Sequence, residues 1–208
     1  MGGRGEMWYK GSVVWRKDGV MDKKAAVLMA DGSEDVEVVA PVDLLRRAGV
    51  EVRLLAVGGH GDGGRVVTAS HGIQVTCDGA WGPGAADDCD LIVLPGGMRG
   101  MERLRGDESV LAAVRNFWSK GKWVASICAG PLTLFAAGVM EGVRFTCYPG
   151  CQPKEAAGRW VDEPVVVDGN VVTSQGLGTA IPFGLTLAGL LAGREAMEEL
   201  SRKVIWRH

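Results

Sequence analysis

The sequence lacks the features that would assign it to several large functional classes. No apolar run approaches the roughly 20 residues that a membrane-spanning helix needs. The 23 basic and 25 acidic residues leave a net charge of −2, and the basic residues form no stripe of the kind found in nucleic-acid-binding proteins. We therefore expect neither a membrane nor a nucleic-acid partner. The 47% of hydrophobic residues is ordinary for a globular domain.

Cysteine and histidine are also few. The five cysteines are an odd number, and the sequence shows no secretory signal. This pattern favours free thiols in a reducing, cytoplasmic compartment over a disulfide framework. None of the three histidines stands at ligand spacing from Cys147 and Cys151, so we expect no metal site.

Glycine, in contrast, is abundant, and its 32 copies gather where short elements are expected to end. Apolar strands predicted at 25–29, 50–56, 90–94 and up to Cys128 alternate with helices predicted at 34–48, 109–120 and 130–137. Further along the chain we expect a hairpin that turns at 168–170, a long apolar helix through Leu191 and a last helix over 195–205. This alternation predicts one α/β domain over 23–208, with a mostly parallel sheet between helices. Residues 1–22 are interpreted as an N-terminal extension.

The most informative segment is the apolar run that ends at Cys128 and continues into Ala129, Gly130 and Pro131. It predicts a strand–turn–helix corner that sets the cysteine at the carboxyl end of the sheet, where ligand sites of such folds lie. Backbone N–H groups at the start of the helix should favour a reactive thiolate. The alternative is that Cys128 is a small buried apolar residue. The corner favours the reactive cysteine.

A second loop is expected at the same edge, because the predicted strand at 90–94 ends in Pro95, Gly96 and Gly97. These glycines would let backbone N–H groups approach a ligand and, with the N–H of Ala129, form an oxyanion hole. The alternative for this loop is plain chain reversal.

Glu37 is unusual because it lies within an apolar run, from Val36 to Val42. Pro41 has no N–H to give to the carbonyl of Glu37, so we expect a distorted helix at this point. An apolar site would favour the protonated carboxyl, which could hydrogen-bond a nearby thiolate. The neighbouring Glu34 and Asp35 are interpreted as first-turn residues that follow an N-cap at Ser33.

Five motifs occur in this order along the chain: ADGSEDVE at 30–37, PVDLLRRAG at 41–49, LPGG at 94–97, ASICAGP at 125–131 and TSQGLGT at 173–179. Together they resemble the ThiJ/PfpI superfamily, in its DJ-1/YajL-like branch. The resemblance covers about residues 24–200. It implies a flavodoxin-like three-layer sandwich, similar to class I glutamine amidotransferases, and a homodimer.

The resemblance also implies roles for individual residues. Cys128 matches the family's reactive cysteine, Glu37 its partner glutamate, and Gly97 and Ala129 its backbone donors. Ala129 stands where the peptidase-like branch has a histidine, so peptidase activity is not expected. Tyr148 stands where the DJ-1-like branch has a histidine before a proline. Candidate substrate contacts are therefore Tyr148 and Gly96.

The implied function is that of a glutathione-independent glyoxalase or protein deglycase. Such an enzyme acts through its cysteine on methylglyoxal, glyoxal or their early adducts with proteins, without a metal or organic cofactor, in oxidative and carbonyl stress. The alternative is a non-enzymatic redox sensor or chaperone that works through oxidation of Cys128.

Overall fold

The computed structural model describes residues 23–153 and 158–207, so the predicted extension at 1–22 lies outside the described residues. The strands are β1 (Lys24–Ala30), β2 (Glu51–Val57), β3 (Val66–Thr68), β4 (Gln74–Thr76), β5 (Gly79–Ala80), β6 (Leu91–Leu94), β7 (Trp123–Ile127), β8 (Arg144–Phe145), β9 (Arg159–Trp160), β10 (Val165–Asp168) and β11 (Val171–Ser174). The helices are α1 (Asp35–Arg47), α2 (Met98–Gly106), α3 (Glu108–Ser119), α4 (Pro131–Ala136), α5 (Ala180–Ala192) and α6 (Arg194–Lys203).

Seven strands form the central sheet in the order β10-β11-β7-β6-β1-β2-β5. Only the hairpin of β10 and β11 is antiparallel, and the other neighbours in this sheet run parallel. Two pairs of short strands, β3 with β4 and β8 with β9, lie outside it. The predicted mostly parallel sheet and the predicted hairpin are thus both present.

The core has two halves, one on each face of the sheet, which makes the molecule a three-layer sandwich. Along β1, Val27 belongs to the half that includes residues of α1, α5 and α6, whereas Leu28 belongs to the half that includes residues of α3 and α4. Because β1 is covered on both faces, its side chains form a continuous apolar run rather than an alternating one.

The predicted N-cap of α1 was wrong. Ser33 does not cap α1: its hydroxyl accepts a hydrogen bond from the N–H of Ala30, and Glu34 occupies the N-cap position. On α3, Phe117 faces the core whereas Trp118 is 43% exposed, because adjacent helical residues point about 100° apart. Pro41 lies inside α1, which continues to Arg47. Gly49 follows that helix at φ 83°, a left-handed conformation that glycine adopts readily just after a helix end.

Candidate active site

The corner at Cys128 is present and is held by the backbone on both sides. β6 and β7 are parallel neighbours, so the loops after Leu94 and Ile127 leave the sheet side by side. The N–H of Cys128 donates to the carbonyl of Ser174 at 2.9 Å, and its carbonyl accepts from the N–H of Tyr148 at 3.0 Å. Cys128 itself has φ 63°, a left-handed conformation that is uncommon outside glycine.

The sulfur of Cys128 has three polar neighbours. Its side chain hydrogen-bonds the carboxyl group of Glu37, and the backbone N–H groups of Gly97 and Ala129 donate to it. Glu37 is only 1% exposed, and its Oε2 accepts from the N–H of Gly96 at 2.9 Å. The structure therefore brings together five of the residues that the sequence analysis selected, which are Cys128, Glu37, Gly96, Gly97 and Ala129.

The Pro-Gly-Gly loop can approach Cys128 and Glu37 closely because Gly96 and Gly97 have no side chains. A Cβ on Gly96 would lie 2.5 Å from the Cβ of Cys128 and 2.6 Å from Oε2 of Glu37, distances that real atoms do not adopt. Gly97 has φ 78°, and a Cβ there would lie 2.4 Å from the carbonyl oxygen of Gly32. Plain chain reversal does not explain these contacts, because a reversal at the surface would leave room for side chains.

The protonation of the Cys128–Glu37 pair departs from a simple helix-stabilised thiolate. Burial raises the pKa of Glu37 to about 7, against the hydrogen bonds from the thiol and from Gly96. Burial, followed by the negative charge of Glu37, raises the pKa of Cys128 to about 12, against the two N–H donors. The expected thiolate is therefore not favoured on its own. α4 is only six residues long, and its end does not outweigh desolvation.

The two groups consequently act as one titrating unit. When Glu37 takes the proton, its charge no longer repels the sulfur and its O–H can donate to the thiolate. A nucleophilic state of this pair would therefore be a thiolate beside a neutral carboxylic acid whose O–H donates to the sulfur.

Tyr148 lies at the open side of this pair. Its side chain is 55% exposed, and its ring flanks the space that borders Gly176, Glu37 and Cys128. The sequence indicated Tyr148 as a candidate substrate contact, but it gave no sign that Gly176 borders the same space. Gly176 is recognised as part of this site only from its spatial neighbours Tyr148, Glu37 and Cys128, which lie in three other segments of the chain.

Glu34 and Asp35 have partners that the sequence interpretation missed. Asp35 Oδ2 accepts from the backbone N–H of His71 at 3.3 Å and from the hydroxyl of Ser70 at 3.1 Å. The same hydroxyl contacts Glu34 Oε2 at 2.8 Å. Ligand atoms of Glu34, Asp35 and His71 lie within 4.8 Å of one another. Their hydrogen bonds with Ser70 account for that cluster without an ion.

The other cysteines differ from Cys128 in their surroundings. All five are free thiols. Cys77, Cys89 and Cys147 are buried, whereas Cys151, like Cys128, is partly exposed. Burial raises the pKa of Cys147 to about 12, with the nearby Cys151 adding to the effect, and no carboxylate is among the causes.

Comparison with known proteins agrees with this architecture. The chain belongs to the DJ-1/PfpI family, whose model matches residues 23–189. It is 36% identical to the dj-1beta protein of Drosophila melanogaster over 187 residues, which cover 89% of this chain and 98% of that protein. The crystal structure of Drosophila melanogaster DJ-1beta superposes with a TM-score of 0.85 and covers 90% of this chain and all of that one.

A second relative carries a functional name. The chain is 43% identical to a protein of Pyrococcus abyssi named a deglycase, over 154 residues that cover 73% of this chain and 89% of that protein. The family predicted from the sequence motifs and the flavodoxin-like sandwich are both confirmed. Among the helices in the described part of the chain, none is both long and apolar enough to cross a membrane.

Proposed function

We propose that the protein is a cysteine-dependent glyoxalase and deglycase-type enzyme that works without glutathione. The observation that carries this proposal is the buried carboxyl of Glu37 hydrogen-bonded to the sulfur of Cys128, with the N–H groups of Gly97 and Ala129 beside it. A nucleophile next to a proton carrier and two fixed donors suits addition to a carbonyl. The deglycase name of the Pyrococcus abyssi relative supports the same substrate class.

The proposed reaction needs no external oxidant or reductant. The thiolate of Cys128 forms a C–S bond to the aldehyde carbon of methylglyoxal, and Glu37 gives its proton to the resulting oxyanion to complete a hemithioacetal. Glu37 then takes the hydrogen of that carbon as a proton and returns it to the neighbouring ketone carbon, while the hydroxyl proton on the first carbon passes to the oxygen of the second. The first carbon is thereby oxidised to a thioester and the second reduced to an alcohol. Water cleaves the thioester to lactate and restores the thiol.

The same site would act on early adducts of methylglyoxal or glyoxal with proteins. These adducts form reversibly, so an enzyme that removes the free aldehyde also reverses them by mass action. Glyoxal would give glycolate by the same steps. No cofactor takes part in the proposed mechanism, and Ala129 beside the cysteine supplies no base for peptide hydrolysis.

The test is lactate release from methylglyoxal in the absence of glutathione. We expect release by the wild type and by Cys147→Ser, a control at a buried thiol, but none by Cys128→Ser or Glu37→Ala. Full activity in either of the last two variants would overturn the mechanism. Circular dichroism and thermal unfolding would check that each variant is folded.

The partial exposure of Cys128 supports a second candidate function, a redox sensor or chaperone switched by peroxide. In that case peroxide oxidises the sulfur to a sulfinate, which Glu37 would hydrogen-bond. Mass spectrometry at low peroxide should show selective oxidation of Cys128. Uniform oxidation of all five cysteines would count against this function.

We also propose that the protein is a homodimer that uses the outer face of α1. Val36 and Val39 lie one helical turn apart and are 40% and 53% exposed, although this helix also carries Glu37. A second copy of the chain would cover both valines. Sedimentation of the wild type as a dimer and of Val39→Glu as a monomer would support this assembly, whereas a monomeric wild type would exclude it.

A further inference from the structure

A small open space beside the Cys128–Glu37 pair exists because residue 176 has no side chain. A Cβ built on Gly176 would lie 4.0 Å from Sγ of Cys128 and 3.8 Å from Oε1 of Glu37. It would also lie 3.5 Å from Cδ2 of Tyr148. One atom at this point therefore touches the nucleophile, the proton carrier and the aromatic ring at the same time.

The fold does not require glycine at this position. Gly176 has φ 164° and ψ −165°, an extended backbone that any residue adopts. All three distances from a Cβ at this position are ordinary van der Waals contacts, unlike the 2.5 Å overlap at Gly96. What glycine provides at 176 is thus room beside the reacting atoms rather than a special backbone conformation.

The backbone around this space is firmly held. The N–H of Gly176 donates to Oγ1 of Thr179 at 3.0 Å, and its carbonyl accepts from the N–H of Thr179 at 2.8 Å. Oγ1 of Thr179 lies 2.7 Å from Oγ of Ser174, a fully buried residue of β11. A side chain added at 176 would therefore enter the open space instead of being carried away from it.

We propose that Gly176 determines substrate size at this site. An attacked carbon must come within about 3–3.5 Å of the sulfur. The carbon bonded to it would then lie close to the position that a Cβ on residue 176 would occupy. The space left by Gly176 then receives that second carbon and its substituent, a hydrogen in glyoxal and a methyl group in methylglyoxal. The identity of the substrates rests on the proposed function, whereas the size limit concerns access to the thiol itself.

The test compares Gly176→Ala with Gly178→Ala, two residues further along the same loop. A Cβ on Gly178 meets no atom within 4 Å, so this variant is a matched control. The kcat/KM values for glyoxal, methylglyoxal and phenylglyoxal would be measured for each protein. In Gly176→Ala we expect the two larger substrates to lose on the order of 10- to 200-fold relative to glyoxal, the range found for one added methyl-sized group. Gly178→Ala should match the wild type.

A second readout does not depend on turnover. The rate of Cys128 alkylation by iodoacetamide and by the bulkier N-phenylmaleimide would be measured on the same proteins, and Gly176→Ala should slow the maleimide selectively. Adding Tyr148→Ala, which opens the opposite wall, should restore its rate. Equal effects on both reagents, or the same loss in Gly178→Ala, would overturn the inference. Selective slowing in a protein whose wild type makes no lactate would instead refute the proposed reaction and uphold the size limit.

Discussion

Asp35 and Glu37 are two buried carboxyl groups in the first turn of α1, and their pKa values move in opposite directions. Asp35 is 9% exposed and Glu37 is 1% exposed. Burial is the largest influence on both groups and raises the pKa of each. At Asp35 the hydrogen bonds from His71 and Ser70 outweigh burial, and the pKa is lowered. At Glu37 burial prevails, and the pKa rises to about 7.

The difference shows that the depth of a carboxyl and the donors around it together decide its protonation. Asp35 faces a loop that offers two side chains and an N–H, so it stays ionised and joins α1 to that loop. Glu37 receives the N–H of Gly96 and the thiol of Cys128. A carboxyl that titrates near neutral pH can both give and take a proton, as the proposed reaction requires.

The largest expected effect is on turnover. Glu37→Gln keeps the shape of the side chain but cannot relay a proton, so lactate formation should fall by about 10²–10⁴-fold. Asp35→Asn, two residues away on the same helix, should retain its activity because that group does not contact the thiol. Steady-state assays with methylglyoxal would measure both variants. Equal losses in the two would remove the functional distinction between these carboxyls.

The next effect is on stability as a function of pH. Because folding raises the pKa of Glu37 from an ordinary 4.5 to about 7, the folded state holds this proton more tightly than the unfolded state does. Its contribution to stability is complete below about pH 4.5 and is lost as the pH rises to about 7, by roughly 3 kcal/mol. Urea unfolding at several pH values should show this decline in the wild type and not in Glu37→Gln. Parallel curves for the two proteins would contradict the raised pKa.

Asp35 should show the opposite trend with a smaller magnitude. Its lowered pKa stabilises the fold above the ordinary titration range of aspartate, and that contribution is lost as the pH falls through the lowered value. His71→Ala removes one donor and should reduce the free energy of unfolding at pH 7 by about 1 kcal/mol. The same substitution in an Asp35→Asn background should have less effect. Identical effects in both backgrounds would show that the contact contributes nothing.

These two carboxyl groups also show how much of the candidate site could be predicted from the sequence alone. Glu37 was identifiable because an acid within an apolar helical run is unusual, and Cys128 because a strand stops abruptly at it. The partners of Asp35 were not, because Ser70 and His71 lie more than 30 residues away in sequence. Local patterns indicate periodicity, whereas such a pairing depends on where the sheet places its loops.

The secondary-structure predictions also succeeded where the local pattern is strong and failed where it is weak. The long buried strands and helices were predicted within a few residues, since their apolar patterns are strong. The short strands β3, β4 and β5 were missed, because each has only two or three residues. α2 was missed as well, since its sequence is rich in arginine and glycine and buries only Gly100, Met101 and Leu104.

The left-handed backbone of Cys128 has a consequence for how this site can change over evolution. A residue with a Cβ pays about 1–2 kcal/mol to hold φ 63°, whereas glycine adopts it freely. Cys128→Gly should therefore unfold at a higher denaturant concentration than Cys128→Ala, although neither has a sulfur. Selection for backbone stability alone would therefore favour glycine at this corner, and a catalytic or redox role of the thiol would oppose that change.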